Sequence, residues 1–163
     1  MLAHPSVEEV HARVDQAIDH LLKKDNYLLQ IDANERAISH RLGLYLQLLF
    51  EDWHVDCEYN RNLNSPKRLE QYEEFFDENQ RIWSIAEIDP ITVFPDIIVH
   101  ERGTSNNLLV IEMKKTSSQV NNDFDYMKLE EFKYQYGYPH ALFLKLITGH
   151  EDVGVETKDY LPE

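Results

Sequence analysis

The chain has a single cysteine, Cys57, and no apolar run near its first residue. One cysteine excludes a disulfide within the chain, so folding does not require an oxidising compartment. The opening residues, MLAHPSVEEVHARV, lack the apolar stretch of a signal peptide or a membrane span. We therefore expect a protein of the reducing cytoplasm that has no membrane partner.

Positive charge is also scarce. Sixteen lysines and arginines face 30 aspartates and glutamates, and the formal net charge is −14. This balance argues against a protein that holds nucleic-acid phosphates over a wide surface. A local contact is still compatible with it, because salt screens charges beyond about 8 to 10 Å. The basic residues are partly grouped, as Arg36, His40 and Arg41, then Lys114 and Lys115, then Lys128 and Lys133.

Several motifs with well-defined chemistry are missing. The sequence has no Gly-rich phosphate loop, no Cys/His spacing for zinc, no HExxH and no GxSxG nucleophile elbow. These absences exclude nucleotide-driven and serine-type chemistry.

The hydrophobic pattern that is present predicts an α/β fold. Residues 6–25 begin with Ser6 and Glu9 at the spacing of a capping box and place apolar side chains on one helical face. We predict further helices over 32–50 and 123–137, and strands over 53–61, 93–100, 108–115 and 140–148.

We expect a single domain over 1–163. Its core is predicted to be a central mixed β-sheet with helices on both faces and the 93–115 hairpin at its centre. Residues 62–90, which include an acidic amphipathic helix over 67–81, are interpreted as an insertion between the first two core strands. Residues 149–163 are interpreted as an irregular acidic tail.

The predicted hairpin carries three charged residues that strand geometry brings together. Side chains alternate along a strand, so Glu112 and Lys114 lie on one face of it. The intervening ERGTSNN has the composition of a turn. A hairpin symmetric about Thr104 pairs position 98 with 110 and 100 with 108, and sets Asp96 opposite Glu112. Two carboxylates this close repel each other unless a cation lies between them, and oxygen ligands suit Mg²⁺ or Mn²⁺.

The Pro-Asp pair that ends at Asp96 and the tripeptide from Glu112 to Lys114 resemble the PD-(D/E)XK signature of the restriction-endonuclease-like nucleases. Members place the Asp on one core strand, the E-X-K on the next and a Glu on a preceding helix, here Glu35. The resemblance covers residues 32–148 in order. It implies a restriction-endonuclease-like core and Mg²⁺-dependent hydrolysis of nucleic-acid phosphodiesters, with DNA as the preferred substrate and Mn²⁺ as a substitute metal.

The resemblance also implies a role for each site residue. Asp96, Glu112 and the main-chain carbonyl of Met113 would hold the metal, and Glu35 would bind it directly or through water. Lys114 would orient the attacking water and stabilise the charge that develops on phosphorus. Weaker candidates for substrate contact are Arg41, Lys115 and Lys128.

Structural alternatives stand beside these roles. Asp32 and Glu35 have capping-box spacing, which explains Glu35 without a metal, although Glu35 also lies on the core-facing stripe of its helix. Lys114 could protect a sheet edge. Asp125 and Lys128 have the i, i+3 spacing of an ion pair on a helix surface. The tyrosines at 126, 134, 136 and 138 are interpreted as core and rim rather than as a stacking platform for bases.

Two further functional hypotheses come from the charge. A broad acidic surface suits a basic protein partner, so the chain could be a catalytically silent nuclease-fold subunit that binds protein or nucleic acid. Alternatively, the metal site could be purely structural. The sequence leaves open whether the chain works as a homodimer or in a larger complex.

Overall fold

The computed structural model of the protein describes residues 1–59 and 94–162. The predicted insertion over 62–90 lies outside these residues. Within them the fold is α/β, as predicted. The helices are α1 (Val7–Lys24), α2 (Asn26–Gln30), α3 (Glu35–Leu49) and α4 (Asp123–Tyr136); the strands are β1 (His54–Cys57), β2 (Ile97–His100), β3 (Asn107–Lys115), β4 (His140–Ile147) and β5 (Gly154–Tyr160).

The five strands form one mixed sheet with the order β1-β2-β3-β4-β5. β3 and β4 are parallel, and the other neighbours are antiparallel. A parallel pair needs a crossover connection, which α4 provides between β3 and β4. β3 is the central strand and is buried over all but its last residue, as expected for a strand covered on both faces.

The hairpin of β2 and β3 has the predicted register at its middle, where Ile98 pairs with Val110. Nearer the turn the prediction is wrong by one residue. A bulge after Val99 shifts the partner of His100 to Asn107, so the hairpin is not symmetric. The bulge lies beyond position 98 and leaves the pairing on the Asp96 side unchanged.

Helices cover both faces of the sheet, as predicted. One core contains α1, α3 and side chains of β3 such as Leu109, Ile111 and Met113. The other contains Val110 of β3 with residues of α4. The alternation along β3 therefore matches the sequence interpretation.

Two helix starts distinguish a correct capping prediction from a wrong one. Ser6 and Glu9 form the predicted capping box of α1. α3 begins instead at Glu35, and Asn34 is its N-cap through a hydrogen bond from the backbone N–H of Ala37 at 2.7 Å. Asp32 lies outside the helix with a positive φ of 54°. The capping-box interpretation of Glu35 is therefore wrong, because Glu35 is the first helical residue and not the third.

The remaining differences concern short elements. α2 was not expected, since five residues carry too little periodicity to predict a helix. The prediction of an irregular tail over 149–163 is wrong for residues 154–160, because these residues form β5 and pair with β4. β5 is an edge strand with mostly polar residues, so it lacks the apolar alternation by which strands are identified. None of the helices in the described ranges is long and apolar enough to span a membrane.

Candidate active site

Asp96 lies directly before β2, beside the middle of β3. The backbone N–H of Met113 donates a hydrogen bond of 2.7 Å to Oδ2 of Asp96. This contact fixes the Asp96 carboxylate next to Glu112, as the predicted register requires. Burial is the main cause that raises the pKa of both carboxylates, and the negative charge of Asp96 raises the pKa of Glu112 further.

Glu112 is fully buried, and its two oxygens have different surroundings. Oε2 accepts a hydrogen bond of 2.6 Å from Nζ of Lys128 on α4. Oε1 is buried and receives no hydrogen bond from residues 1–59 and 94–162. Burial, with the charge of Asp96 as a further cause, raises the pKa of Glu112 well above its ordinary value. A buried carboxylate oxygen without a donor is costly, so Oε1 favours the arrival of a proton or a cation.

Asp96 has a raised pKa for the same main reason. Burial raises it, while the charge of Lys128 and the N–H of Met113 lower it in part. The two carboxylates thus behave as a coupled pair that binds protons more tightly than free carboxylates do.

Lys114 lies on the same face of β3 as Glu112, as predicted, and this face packs against α4. The side chain is buried and forms an ion pair with Asp125 in the first turn of α4. The edge-lysine alternative is therefore wrong, because Lys114 is enclosed between β3 and α4.

Lys128 and Asp125 are likewise buried, so the prediction of a surface ion pair is wrong. Their charged atoms are 3.8 Å apart, and Lys128 makes its closer contact with Glu112. Burial lowers the pKa of Lys128, but the negative charges of Glu112 and Asp96 outweigh this and raise it. Lys128 is thus a charged lysine inside the site.

Glu35 approaches the same region from α3. Its Oε2 accepts a hydrogen bond of 2.9 Å from the backbone N–H of Lys115. Burial raises the pKa of Glu35, and the negative charge of Asp96 raises it further. The structure therefore brings Glu35, Asp96, Glu112 and Lys114 to one end of the β2/β3 pair, as the sequence predicted.

A cleft of about 440 Å³ opens beside these carboxylates. Arg36, which lines the cleft, follows Glu35 on α3 and pairs with Glu58 at 3.0 Å. Cys57 has a pKa raised to about 11, chiefly by burial, so its thiol is a poor nucleophile at neutral pH. The cleft gives Asp96 and Glu35 access to solvent and to a ligand; its lining residues are Asn34, Glu35, Arg36, Ser39, Cys57, Glu58 and Asp96.

The three basic residues predicted to contact substrate all form ion pairs with acidic side chains of the same chain. Arg41 donates to Asp25 at 2.9 Å and also to the hydroxyl of Tyr45. Lys115 binds the carboxylate of Asp32 at 3.1 Å. Lys128 binds Glu112, as described above. The sequence could not show that these charges have acidic partners, and their contact with a substrate stays a prediction.

The tyrosines divide between core and surface. Tyr138 is fully buried, whereas Tyr134 is 75% exposed. Tyr126 stacks on Phe143 and donates a hydrogen bond to Asp159. The core-and-rim interpretation agrees with these positions.

Two residues of the site were not singled out from the sequence. Asp125 was interpreted only as a surface partner of Lys128, and Arg36 only as part of a basic group. A signal for Asp125 existed, since a helix that follows the E-X-K strand must pack its first turns on the face that carries Glu112 and Lys114.

The donor set fits Mg²⁺. In residues 1–59 and 94–162, no cluster of three or more histidine, cysteine, aspartate or glutamate side chains has the geometry to enclose a metal ion. Mg²⁺ does not need one, because proteins commonly hold it through one or two carboxylates while it keeps several waters. Asp96 and Glu112 supply two carboxylates, and Oε1 of Glu112 is a buried acceptor without a donor among the described residues.

No protein-family model, curated protein or solved structure matches this chain.

Proposed function

We propose that the protein is a Mg²⁺-dependent nuclease of the PD-(D/E)XK type, with a restriction-endonuclease-like core and DNA as its preferred substrate. One observation carries the proposal. The half-buried carboxylate of Asp96 lines a cleft beside the fully buried carboxylate of Glu112, and one oxygen of Glu112 has no donor among the described residues. Buried carboxylates with raised pKa values in a cleft are typical of functional sites.

Asp96, Glu112 and the carbonyl of Met113 would hold the metal. When bound, Mg²⁺ supplies positive charge that polarises the phosphodiester and makes a nearby water more acidic. The protein prepares the two carboxylates for this. The N–H of Met113 fixes the orientation of Asp96, and Lys128 fixes Oε2 of Glu112 so that Oε1 is left available.

Glu35 has the properties of a proton acceptor for the attacking water. The N–H of Lys115 orients one of its oxygens, and the cleft exposes the carboxylate to a ligand. Burial raises its pKa, which brings it closer to the working pH and improves general-base catalysis. The positive charge of Lys114 also acts on Glu35, and in this proposal Lys114 acts through space, from its ion pair with Asp125, on the negative charge that develops on the phosphate.

Arg36 is the residue that we expect to meet the substrate first. Among the described residues that line the cleft, it is the one lysine or arginine. Its partner Glu58 is 43% exposed, so the ion pair is weak and open to exchange for a phosphate. Bidentate contacts between guanidinium and phosphate favour this exchange.

The proposal is tested by incubating the purified 163-residue chain with plasmid DNA, single-stranded DNA and RNA in Mg²⁺, in Mn²⁺ and in EDTA. We expect cleavage that requires the metal and is lost in Glu112→Gln. The matched control is Glu130→Gln, an exposed position on α4 that should cleave like the wild type. Equal cleavage by wild type and Glu112→Gln would trace the activity to a contaminant and refute the proposal.

A second candidate function is a catalytically silent subunit of the same fold. The observation that favours it is that acidic partners pair with Arg41, Lys115 and Lys128, so these three described residues offer no free positive charge to a nucleic acid. This candidate predicts no cleavage of any of the three substrates. It also predicts unchanged partner binding in Glu112→Gln.

A further inference from the structure

Asp125 is a buried carboxylate to which the mechanism above gives no role. It lies in the first turn of α4 and is 6% exposed. Its carboxylate forms an ion pair with Lys114 and lies 3.8 Å from Nζ of Lys128. Breaking a buried ion pair is costly, so these contacts hold both lysines in defined places.

The charges around Asp125 do not balance, because carboxylates outnumber ammonium groups there. The group contains three carboxylates, the half-buried Asp96 and the buried Glu112 and Asp125, and two buried ammonium groups, Lys114 and Lys128. Lys128 is paired with Glu112, and Lys114 with Asp125. Asp96 forms no ion pair with a lysine or arginine in the part of the chain that the structure describes. The deficit of positive charge therefore lies at Asp96 and at Oε1 of Glu112.

The position of Lys114 makes this distribution notable. Lys114 is two residues from Glu112 on the same face of β3, so a rotation of its long side chain would bring the ammonium to the Glu112 and Asp96 carboxylates. In a buried site such an ammonium would neutralise them strongly and would repel a divalent cation. The ion pair with Asp125 keeps Lys114 on the α4 side instead.

We propose that Asp125 is a positioning residue: it holds Lys114 against α4 and thereby keeps the Asp96–Glu112 pair open to a divalent cation. This inference rests on the metal site of the proposed function. It assigns to Asp125 a role in selecting which cation occupies the pair, the metal or the protein's own lysine.

A simpler effect must be separated from this one. Asp125 carries a negative charge near the pair and would attract a cation through space even if Lys114 did not move. The two effects differ in their dependence on Lys114. A through-space effect persists when Lys114 is replaced, whereas the positioning effect disappears, so a double-mutant cycle distinguishes them.

The experiment is a calorimetric titration of Mn²⁺ into wild type, Asp125→Asn, Lys114→Gln and the double variant. We expect Asp125→Asn to weaken Mn²⁺ binding by about 10-fold and to have less than about a 2-fold effect in the Lys114→Gln background. The matched control is Asp123→Asn, an exposed position in the same helical turn, which should bind like the wild type. Equal losses in both backgrounds, or wild-type affinity in Asp125→Asn, would overturn the inference.

Lys114→Gln gives a second test that does not depend on the folding of Asp125→Asn. Glutamine can still donate to Asp125 but carries no charge, so Mn²⁺ affinity should be equal to that of the wild type or higher. A loss of affinity in Lys114→Gln would contradict the proposed role. A cleavage assay separates this inference from the proposed function. If the wild type binds Mn²⁺ but cleaves no nucleic acid, only the proposed function is refuted. If Asp125→Asn binds Mn²⁺ normally in an enzyme that cleaves, only the inference is refuted. A wild type that binds no Mn²⁺ refutes both.

Discussion

Two carboxylate clusters of the same sheet are partly or fully buried yet have opposite electrostatics. Asp56 on β1 accepts a hydrogen bond of 2.8 Å from Nε2 of His100 and is also held by the guanidinium of Arg102. Burial alone would raise the pKa of Asp56, but these donors lower it far below its ordinary value. In the Asp96–Glu112 pair, burial prevails and the pKa values are raised.

The difference shows what each cluster contributes. Asp56 has enough donors, so its charge is more stable in the folded protein than in water and it supports the fold. Asp96 and Glu112 have too few donors, so their negative charges lower the stability of the folded protein. A fold that keeps such a pair beside an open cleft is best explained by a ligand that supplies the missing positive charge.

The largest expected effect is on cleavage. Asp96→Asn and Glu112→Gln should each reduce the cleavage rate by at least about 100-fold, because the metal loses a carboxylate that acts in the transition state. Both amides can replace the protonated acids in shape and hydrogen bonding, so the fold should persist. The rate with plasmid DNA and a far-ultraviolet circular dichroism spectrum measure the two quantities. Cleavage within 2-fold of wild type by either variant would contradict the assignment.

The next largest effect is on stability and concerns the other cluster. Asp56→Ala leaves the buried ring of His100 without its acceptor and should lower the free energy of unfolding by roughly 1 to 3 kcal/mol. Urea denaturation measures it, and Asp52→Ala, at an exposed position near Asp56, is the control. Cleavage per folded molecule should stay normal in both variants. A stable Asp56→Ala protein would show that this cluster does not support the fold.

A smaller effect is expected for Glu35. Glu35→Gln should slow cleavage by about 10-fold, equal to about 1.4 kcal/mol on the barrier, because glutamine cannot accept a proton from water. Stability should change little, since the amide oxygen still accepts the hydrogen bond from the N–H of Lys115. Single-turnover kinetics with saturating metal measure this step. An unchanged rate would leave Glu35 with the structural task of joining α3 to β3.

The smallest effect is on the pH dependence of stability without metal. The pKa of Glu112 is raised, so the folded chain holds this proton to a higher pH than the unfolded chain. The resulting stabilisation is complete below the ordinary pKa of 4.5 and is lost as the pH rises through the raised value. Glutamine has no such proton. The free energy of unfolding of wild type minus that of Glu112→Gln should therefore fall as the pH rises, when measured by urea denaturation in EDTA. A difference that is constant or increases would contradict the raised pKa.

Much of this arrangement could be predicted from the sequence because it depends on strand periodicity. Alternation on β3 placed Glu112 and Lys114 on one face, and the register at Ile98 and Val110 brought Asp96 alongside. These are local rules that hold wherever a strand is regular. They fail at the bulge near His100, since one extra residue in a strand, here Leu108 of β3, leaves no clear pattern in the sequence.

The partners of the charges could not be predicted. Whether Lys128 lies on a helix surface or inside the site depends on how α4 packs on the sheet, and its i, i+3 spacing from Asp125 is the same in both cases. The start of α3 shows the same limit. Asp32 has the spacing of a cap, but contacts with Ser117 and Thr148, distant in sequence, hold it outside the helix.

The most direct test of the contrast between the clusters is a calorimetric titration of Mn²⁺ into wild type, Glu112→Gln and Asp56→Asn at neutral pH. If the Asp96–Glu112 pair lacks a cation and Asp56 does not, the wild type and Asp56→Asn bind Mn²⁺ with similar affinity, and binding is lost in Glu112→Gln. Unchanged affinity in Glu112→Gln, or no binding by the wild type, would contradict the account.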